Sequence, residues 1–275
     1  MNKMDLKIKG KTALITGGDS GLGIETAKFL ARAGVNIVLS DKSNGKELKE
    51  AIKLVEKEAE DGAKVMGIAA DISKLEEVND MANIIMQEFG GAHIIFHSAG
   101  ARGAAGDFLE LTDDDWMKTI EVDLMGAVRI ARAFIPQMQK LKWGRMILVA
   151  SENAFQPYED ESPYNACKAG IINLSKCLSR SYSKENILFN CISPAYIETP
   201  MTDAMMKELA KERNCTVEEA IAWFVKNKRP HIAMKRRGKP EEVASVVAFL
   251  CSQHASYVNG SNRRIDGGAV ESAFG

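Results

Sequence analysis

Residues 12–23 read TALITGGDSGLG: a short apolar run that stops at glycines and opens into a segment, residues 21–33, whose apolar residues Leu22, Ala27, Phe29 and Leu30 recur at helical spacing. A strand that feeds a helix through a glycine-rich turn is the opening of a βαβ unit. Glycine permits positive φ and close backbone approach. The helix start offers unbonded N–H groups and a partial positive charge to a pyrophosphate. A glycine cluster alone makes a tight turn as readily as a phosphate cradle; its place between a first strand and a first helix gives the second reading its weight. Gly17, Asp19, Ser20, Gly21, Leu22 and Gly23 are the residues this turn sets against a nucleotide.

The alternation continues outward along the chain. Residues 35–40, 64–69, 93–97, 145–150 and 187–192 read as further strands, and residues 47–60, 76–89, 113–139 and 162–183 as helices. Short, nearly continuous apolar strands separated by helices predict a parallel sheet covered on both faces. Right-handed crossovers make it doubly wound. The fold class expected is therefore α/β, a doubly wound parallel sheet in a single domain spanning residues 1–275. The rhythm breaks over residues 201–228, which read as two helices, and over the basic connector at residues 229–239. This excursion, about residues 200–230, is the candidate lid over a substrate.

The bulk composition excludes several classes. With 275 residues, 45% hydrophobic and 27% charged, the chain has the make-up of a soluble globular protein. A net charge of −1 gives no general pull toward nucleic acid or an anionic membrane. The five cysteines (Cys167, Cys177, Cys191, Cys215, Cys251) are scattered and odd in number, and neither they nor the four histidines have metal-ligand spacing. No metal site is expected, and a reducing cytoplasm fits best. The opening MNKMDLKIKGK lacks the apolar core of a signal peptide, and no run is long and apolar enough for a membrane span.

Three further features carry chemistry. Asp41 ends the second strand, roughly 20 residues beyond the glycines, where an acid can bind both adenosine ribose hydroxyls and repel a 2′-phosphate. NAD is therefore expected over NADP, with Lys42 the one nearby feature pointing the other way. Tyr164 and Lys168 lie four apart on one face of a helix, so the ammonium can lower the phenol's pKa. A phenolate can accept the proton of an alcohol while hydride leaves its carbon. Ser151 directly follows the fifth strand, at the edge where ligands of open α/β sheets bind, and can orient the same oxygen. Each feature has a plain alternative: a loop acid, a chance helical pair, a serine capping a turn.

Taken in order, these residues resemble the short-chain dehydrogenase/reductase superfamily over nearly the whole chain. The resemblance rests on TGGDSGLG at residues 16–23, Asp71, Ser151, YNACK at 164–168, SPAYIETPM at 193–201, RRGKPEEVA at 236–244 and VNGSNRRIDGG at 258–268. It implies a Rossmann fold, with Ser151, Tyr164 and Lys168 as catalytic residues and Lys168 also holding the nicotinamide ribose. It implies that Asp71 and Ile72 lie beside the adenine, that Ser98, Ala99 and Gly100 line the cofactor, and that Pro194, Ile197 and Thr199 lie near the carboxamide. It also implies a homotetramer or homodimer built through the two long helices.

The chain departs from the family pattern at three places. Ser98 replaces the first residue of the usual Asn-Ala-Gly, and Ala195 replaces a glycine. Asp123 stands where the family has an asparagine in the proton relay, so it is counted with the catalytic residues; a carboxylate there can pair with Lys168 and alter the tyrosine. Arg102, Glu152, Asn153, Tyr158 and Tyr196 are the candidate substrate contacts. The methionines and aromatics of residues 201–228 either pack those helices down or cover a bulky ligand. A cyclic or aromatic secondary alcohol is the expected substrate, with a 3-oxoacyl thioester or a sugar as alternatives. The reading of another class is a nucleotide-binding regulatory protein whose catalysis has lapsed.

Overall fold

The computed structural model describes residues 5–274, so the start of the polar N-terminal stretch read in the sequence, residues 1–4, lies outside the described residues. Seven strands, β1 (Thr12–Thr16), β2 (Asn36–Asp41), β3 (Val65–Ala69), β4 (Ile94–His97), β5 (Gly144–Val149), β6 (Ile187–Pro194) and β7 (Asn262–Ile265), form one sheet in the order β3-β2-β1-β4-β5-β6-β7. Every pairing is parallel. The direction of winding reverses between β1 and β4, which opens a crevice at the carboxyl ends of those strands.

Strand side chains alternate between the two faces, and each face meets its own set of helices. Leu14, Val38, Ile95, Met146 and Phe189 pack on one side with α3 (Leu75–Phe89), α5 (Met125–Leu141) and α6 (Ser162–Tyr182). Ala13, Ile15, Ile37, Phe96 and Ile147 pack on the other with α1 (Gly21–Ala31), α2 (Lys46–Glu56) and α9 (Pro240–Cys251). Burying each large apolar side chain in these layers contributes about 2 kcal/mol.

The long helix expected over residues 113–139 is instead two helices. Here α4 (Asp113–Asp123) gives way to α5 at Leu124, whose φ of −116° lies well off helical geometry. Val122 at the end of α4, Leu124 and the apolar face of α5 pack on the same core, so the break left no trace in the pattern. The helix α9 and the strand β7 were visible in the sequence only as motifs. Strand β7 is short, and its central residues are the polar pair Arg263 and Arg264.

The excursion forms α7 (Pro200–Arg213) and α8 (Val217–Asn227), as the sequence indicated. Both start at capping boxes, Thr199 with Thr202 and Thr216 with Glu219. Met206, Val225 and Ile232 form a small core of their own with Tyr196, set over the carboxyl edge of the sheet. Among the described residues, no helix is long and apolar enough to cross a membrane.

Candidate active site

The site is built first by the glycine turn. Gly17 has φ +62°, and a Cβ there would stand 2.9 Å from the Ala99 amide nitrogen; a Cβ at Gly23 would overlap the Gly17 carbonyl oxygen. Only glycine lets the turn, α1 and the end of β4 approach this closely. Ser98 fastens the turn from the β4 side, donating through Oγ to the Thr16 carbonyl at 2.8 Å. The Thr16 hydroxyl lies 2.8 Å from Nδ1 of His97, which burial and the nearby Lys168 hold neutral at about 3. Ser20 makes no side-chain cap on α1, and no acid stands in its first turn. The first N–H groups of α1 are thus left free for an anion. A glycine cradle that a Cβ would fill, leading into an uncapped helix, suits the pyrophosphate of a dinucleotide.

Acids collect where an adenosine would extend. Burial, reinforced by Asp19, pushes the Asp41 carboxyl above its ordinary value. Burial works upward on Asp71 too, but bonds from Ser73 and the charge of Lys42 outweigh it and hold the acid below its ordinary value. Lys42 reaches the same acid, with Nζ 3.2 Å from Asp71 Oδ2, and its side chain is otherwise exposed.

At the other end of the cleft, Lys168 is buried with Nζ 3.0 Å from Asp123 Oδ1 and 3.3 Å from the Val149 carbonyl. The Ala101 N–H donates to the same carboxylate at 3.3 Å. Burial disfavours the ammonium, yet the Tyr164 and Asp123 oxygens outweigh it and the Lys168 pKa is raised. The Lys168 ammonium lies 5.2 Å from the Tyr164 ring centre. Burial pushes the Tyr164 phenol upward; Lys168 opposes this, while Glu152 and Asp123 add to it. The chain's own groups therefore favour the protonated phenol.

Ser151 sits among acceptors. Its Oγ is 2.8 Å from Glu152 Oε2 and 3.0 Å from Asn153 Oδ1, and it accepts from the Asn153 N–H at 3.2 Å. Asn153 Nδ2 donates to Glu161 Oε2 at 2.7 Å and to Asn165 Oδ1 at 2.8 Å, which fixes the amide with its oxygen toward Ser151. Glu152 is only 4% exposed, and burial pushes its carboxyl up to about 7 against the pull of Ser151 and Arg229. The Arg229 guanidinium reaches in from beyond α8, stacked 3.6 Å over the Tyr158 ring and 3.6 Å from Glu161 Oε1. Arg102 Nη2 lies 3.8 Å from the same oxygen.

A single cleft of about 670 Å³ brings nearly all the sequence-predicted residues together. Gly23 and Tyr158 do not line it. Gly23 lies beneath the turn against Gly17, and Tyr158 stands behind the lining, under Arg229. Thr199 lines the cleft, but its hydroxyl also accepts from the Thr202 N–H as the cap of α7. The lining also includes Val122 and Thr202, which carried no signal in the sequence. Arg229 belonged to a basic run that reads as a solvated loop, yet its side chain is turned inward. The rest of that run is largely engaged: Arg236 pairs with Glu242, Arg237 with Asp203, and Lys235 donates to the Pro230 carbonyl. Met205 and Phe224 line the cleft, whereas Trp223 stacks on Arg213 at 3.8 Å. Among the described residues, no group of three or more His, Cys, Asp or Glu side chains is placed to hold a metal ion.

The family model described as enoyl-(acyl carrier protein) reductase matches residues 17–270. An uncharacterized oxidoreductase of Bacillus subtilis is 32% identical over 271 residues, covering 98% of this chain and 100% of that protein. Dehydrogenase/reductase SDR family member 4 of Oryctolagus cuniculus is 28% identical, covering 95% of this chain and 94% of that one. Among solved structures, L-sorbose reductase from Gluconobacter frateurii, complexed with NADPH and L-sorbose, superimposes with a TM-score of 0.92 at 35% identity, covering 98% of this chain and 100% of that chain.

The buried acid makes stability depend on pH. Below the ordinary glutamate value of 4.5, Glu152 is protonated in the folded and unfolded chain alike. Between there and about 7 the folded form keeps a proton that the unfolded form has lost, so its stabilising effect fades as pH rises. Above that, the buried carboxylate costs on the order of 3 kcal/mol. In urea denaturation, the stability of Glu152→Gln relative to wild type should therefore rise by roughly 2–3 kcal/mol between pH 5 and pH 8. A difference independent of pH would show that the ionised acid is well accommodated.

Proposed function

Because the chain belongs to the short-chain dehydrogenase/reductase superfamily, we propose that it interconverts a secondary alcohol and a ketone by hydride transfer, using NAD in preference to NADP and acting on a neutral, polyhydroxylated substrate of the sugar or polyol class. The observation that carries the reading is the convergence of Ser151, Tyr164 and Lys168 in the cleft that begins at the glycine turn. Bound in that cleft, the nicotinamide supplies or accepts the hydride. Tyr164 gives its proton to the carbonyl oxygen in reduction and takes it back in oxidation. Ser151 donates a hydrogen bond to the same oxygen, and Lys168 orients the ribose and stabilises charge on the phenol. Asp123 balances Lys168, which tempers its pull on the phenol.

Asp41 and Asp19 at the adenosine end support NAD, since a 2′-phosphate would meet two acids there. The polar substrate end supports the sugar class over the cyclic or aromatic alcohol that the methionines suggest. Arg102 and Arg229 both lie on Glu161, and Glu152 and Asn153 add further polar groups, a lining suited to hydroxyls. The likeness to a structure holding L-sorbose points the same way. The pairing of Arg236 and Arg237 with Glu242 and Asp203 weighs against a thioester carried on an acidic partner. We also assign homo-oligomer assembly to the helices α4, α5 and α6, beside which Phe108, Leu109 and Met117 are exposed.

The test is a panel of ketoses, polyols, cyclic and aromatic alcohols and 3-hydroxy acids, followed through the near-ultraviolet absorbance of reduced nicotinamide. Wild type should turn over a ketose or polyol and Tyr164→Phe should lose at least about a thousandfold in kcat with NADH affinity little changed. Normal turnover by Tyr164→Phe would sink the mechanism; turnover confined to aromatic alcohols or hydroxy acids would overturn the substrate class. In a fluorescence titration NADH should bind at least about tenfold more tightly than NADPH, and equal affinities would overturn the role given to Asp41.

A further inference from the structure

Ser151 has one hydrogen to give and more than one group that takes it. Glu152 Oε2 and Asn153 Oδ1 both lie within 3.0 Å of Oγ. The Asn153 amide cannot turn to offer a donor instead, because both its hydrogens go to Glu161 and Asn165. An ionised Glu152 is the strongest of these acceptors, since bonds to a charged partner are about twice as strong as neutral ones. A serine drawn to it is not free for a carbonyl. We infer that Glu152 sets the direction of the Ser151 hydrogen: protonated, it donates to Ser151 Oγ and releases the serine's hydrogen toward the substrate oxygen; ionised, it takes that hydrogen and disables Ser151 as a donor. Glu152 is thus a positioning residue, acting through Ser151 on the hydride-transfer reaction, and the inference rests on the role given to Ser151 above.

The surroundings suit such a switch. Glu152 is faced by Tyr158 from its own loop, Arg229 from beyond α8, Glu161 at the start of α6, and Tyr164 from α6; Lys168, Asp123 and Arg102 stand farther around the cleft. Arg229 favours the ionised acid and Glu161 opposes it. The Tyr158 phenol is pushed up to about 12 and His97 is held at about 3, so neither changes charge near neutrality, whereas Glu152 lies at about 7. Asn153 remains a competing acceptor in both states. A neutral amide oxygen is one that a substrate carbonyl between Ser151 and Tyr164 can displace.

The experiment compares carbonyl reduction across pH 5.5–9 for wild type, Glu152→Gln and Ser151→Ala, using the ketone of the panel that wild type turns over fastest. In wild type, kcat/KM should fall from about pH 7, approaching tenfold per pH unit. Glutamine cannot ionise, so Glu152→Gln should lose this limb whatever its absolute rate. The same fall in Glu152→Gln would overturn the proposal. Ser151→Ala separates the two levels: full activity there refutes the donor role of Ser151, not the coupling alone. Infrared difference spectra of the protein without substrate, labelled with carbon-13 glutamate, give a readout independent of turnover, and the wild-type titration does not depend on the variant folding. A protonated carboxyl band should be lost with a midpoint near 7, and should be missing from Glu152→Gln. A wild-type protein with no carboxyl titrating between pH 6 and 8 overturns the proposal.

Discussion

The buried ion pair between Lys168 and Asp123 holds the working end of the molecule in one arrangement. Its two residues come from α6 and the last turn of α4, its ammonium also donates to the end of β5, and its carboxylate accepts from the backbone just after β4. Two helices and two strand ends therefore meet on two charges. Removing either partner would strand the other away from water, at a cost of about 3–5 kcal/mol. The pairing also bears on Gly100, where a Cβ would stand 2.8 Å from Asp123 Oδ1. The glycine after β4 is thus fixed by the pair as well as by the cofactor cleft.

The same pair governs the chemistry it supports. A lone ammonium beside Tyr164 would favour the phenolate. Balanced by Asp123, it does so less, and the burial of Tyr164 then prevails. This chain therefore rests with a protonated tyrosine, the form that donates to a carbonyl. The positive charge of an oxidised nicotinamide would push the phenol the other way. Protonation of the site is set by several opposing charges held close together.

The sequence exposed what local pattern can encode. The glycine turn, the acid ending β2, the serine after β5 and the four-residue spacing of Tyr164 and Lys168 are short-range features, and the structure collects them in one cleft. The parallel sheet followed from apolar strands alternating with amphipathic helices. The break at Leu124 was invisible because it depends on how the chain turns between α4 and α5, with Val122 and Leu124 packed on the same core as α5. Strand β7 was hidden by its arginines, which a sheet-edge strand tolerates. Arg229 was indistinguishable from its basic neighbours until the Tyr158 ring and Glu161 were seen to receive it.

Glu152 stood among the sequence's candidate substrate contacts, but its protonation and its hold on Ser151 were not legible there. By composition it is one more acid in a segment that also holds Glu159, Asp160 and Glu161, and the sum of such charges argues only against an anionic ligand. Its behaviour comes from burial and from the neighbour it touches, neither of which has a sequence signature. An exposed glutamate beside Ser151 would be ionised and solvated, and water would compete for the serine's hydrogen. Enclosed at 4% exposure, it meets that hydrogen without water between them, and its own protonation becomes costly or cheap according to the arginine and glutamate behind it. The substrate end of the cleft is thus a network in which the charge on one carboxyl is read out as the orientation of one hydroxyl.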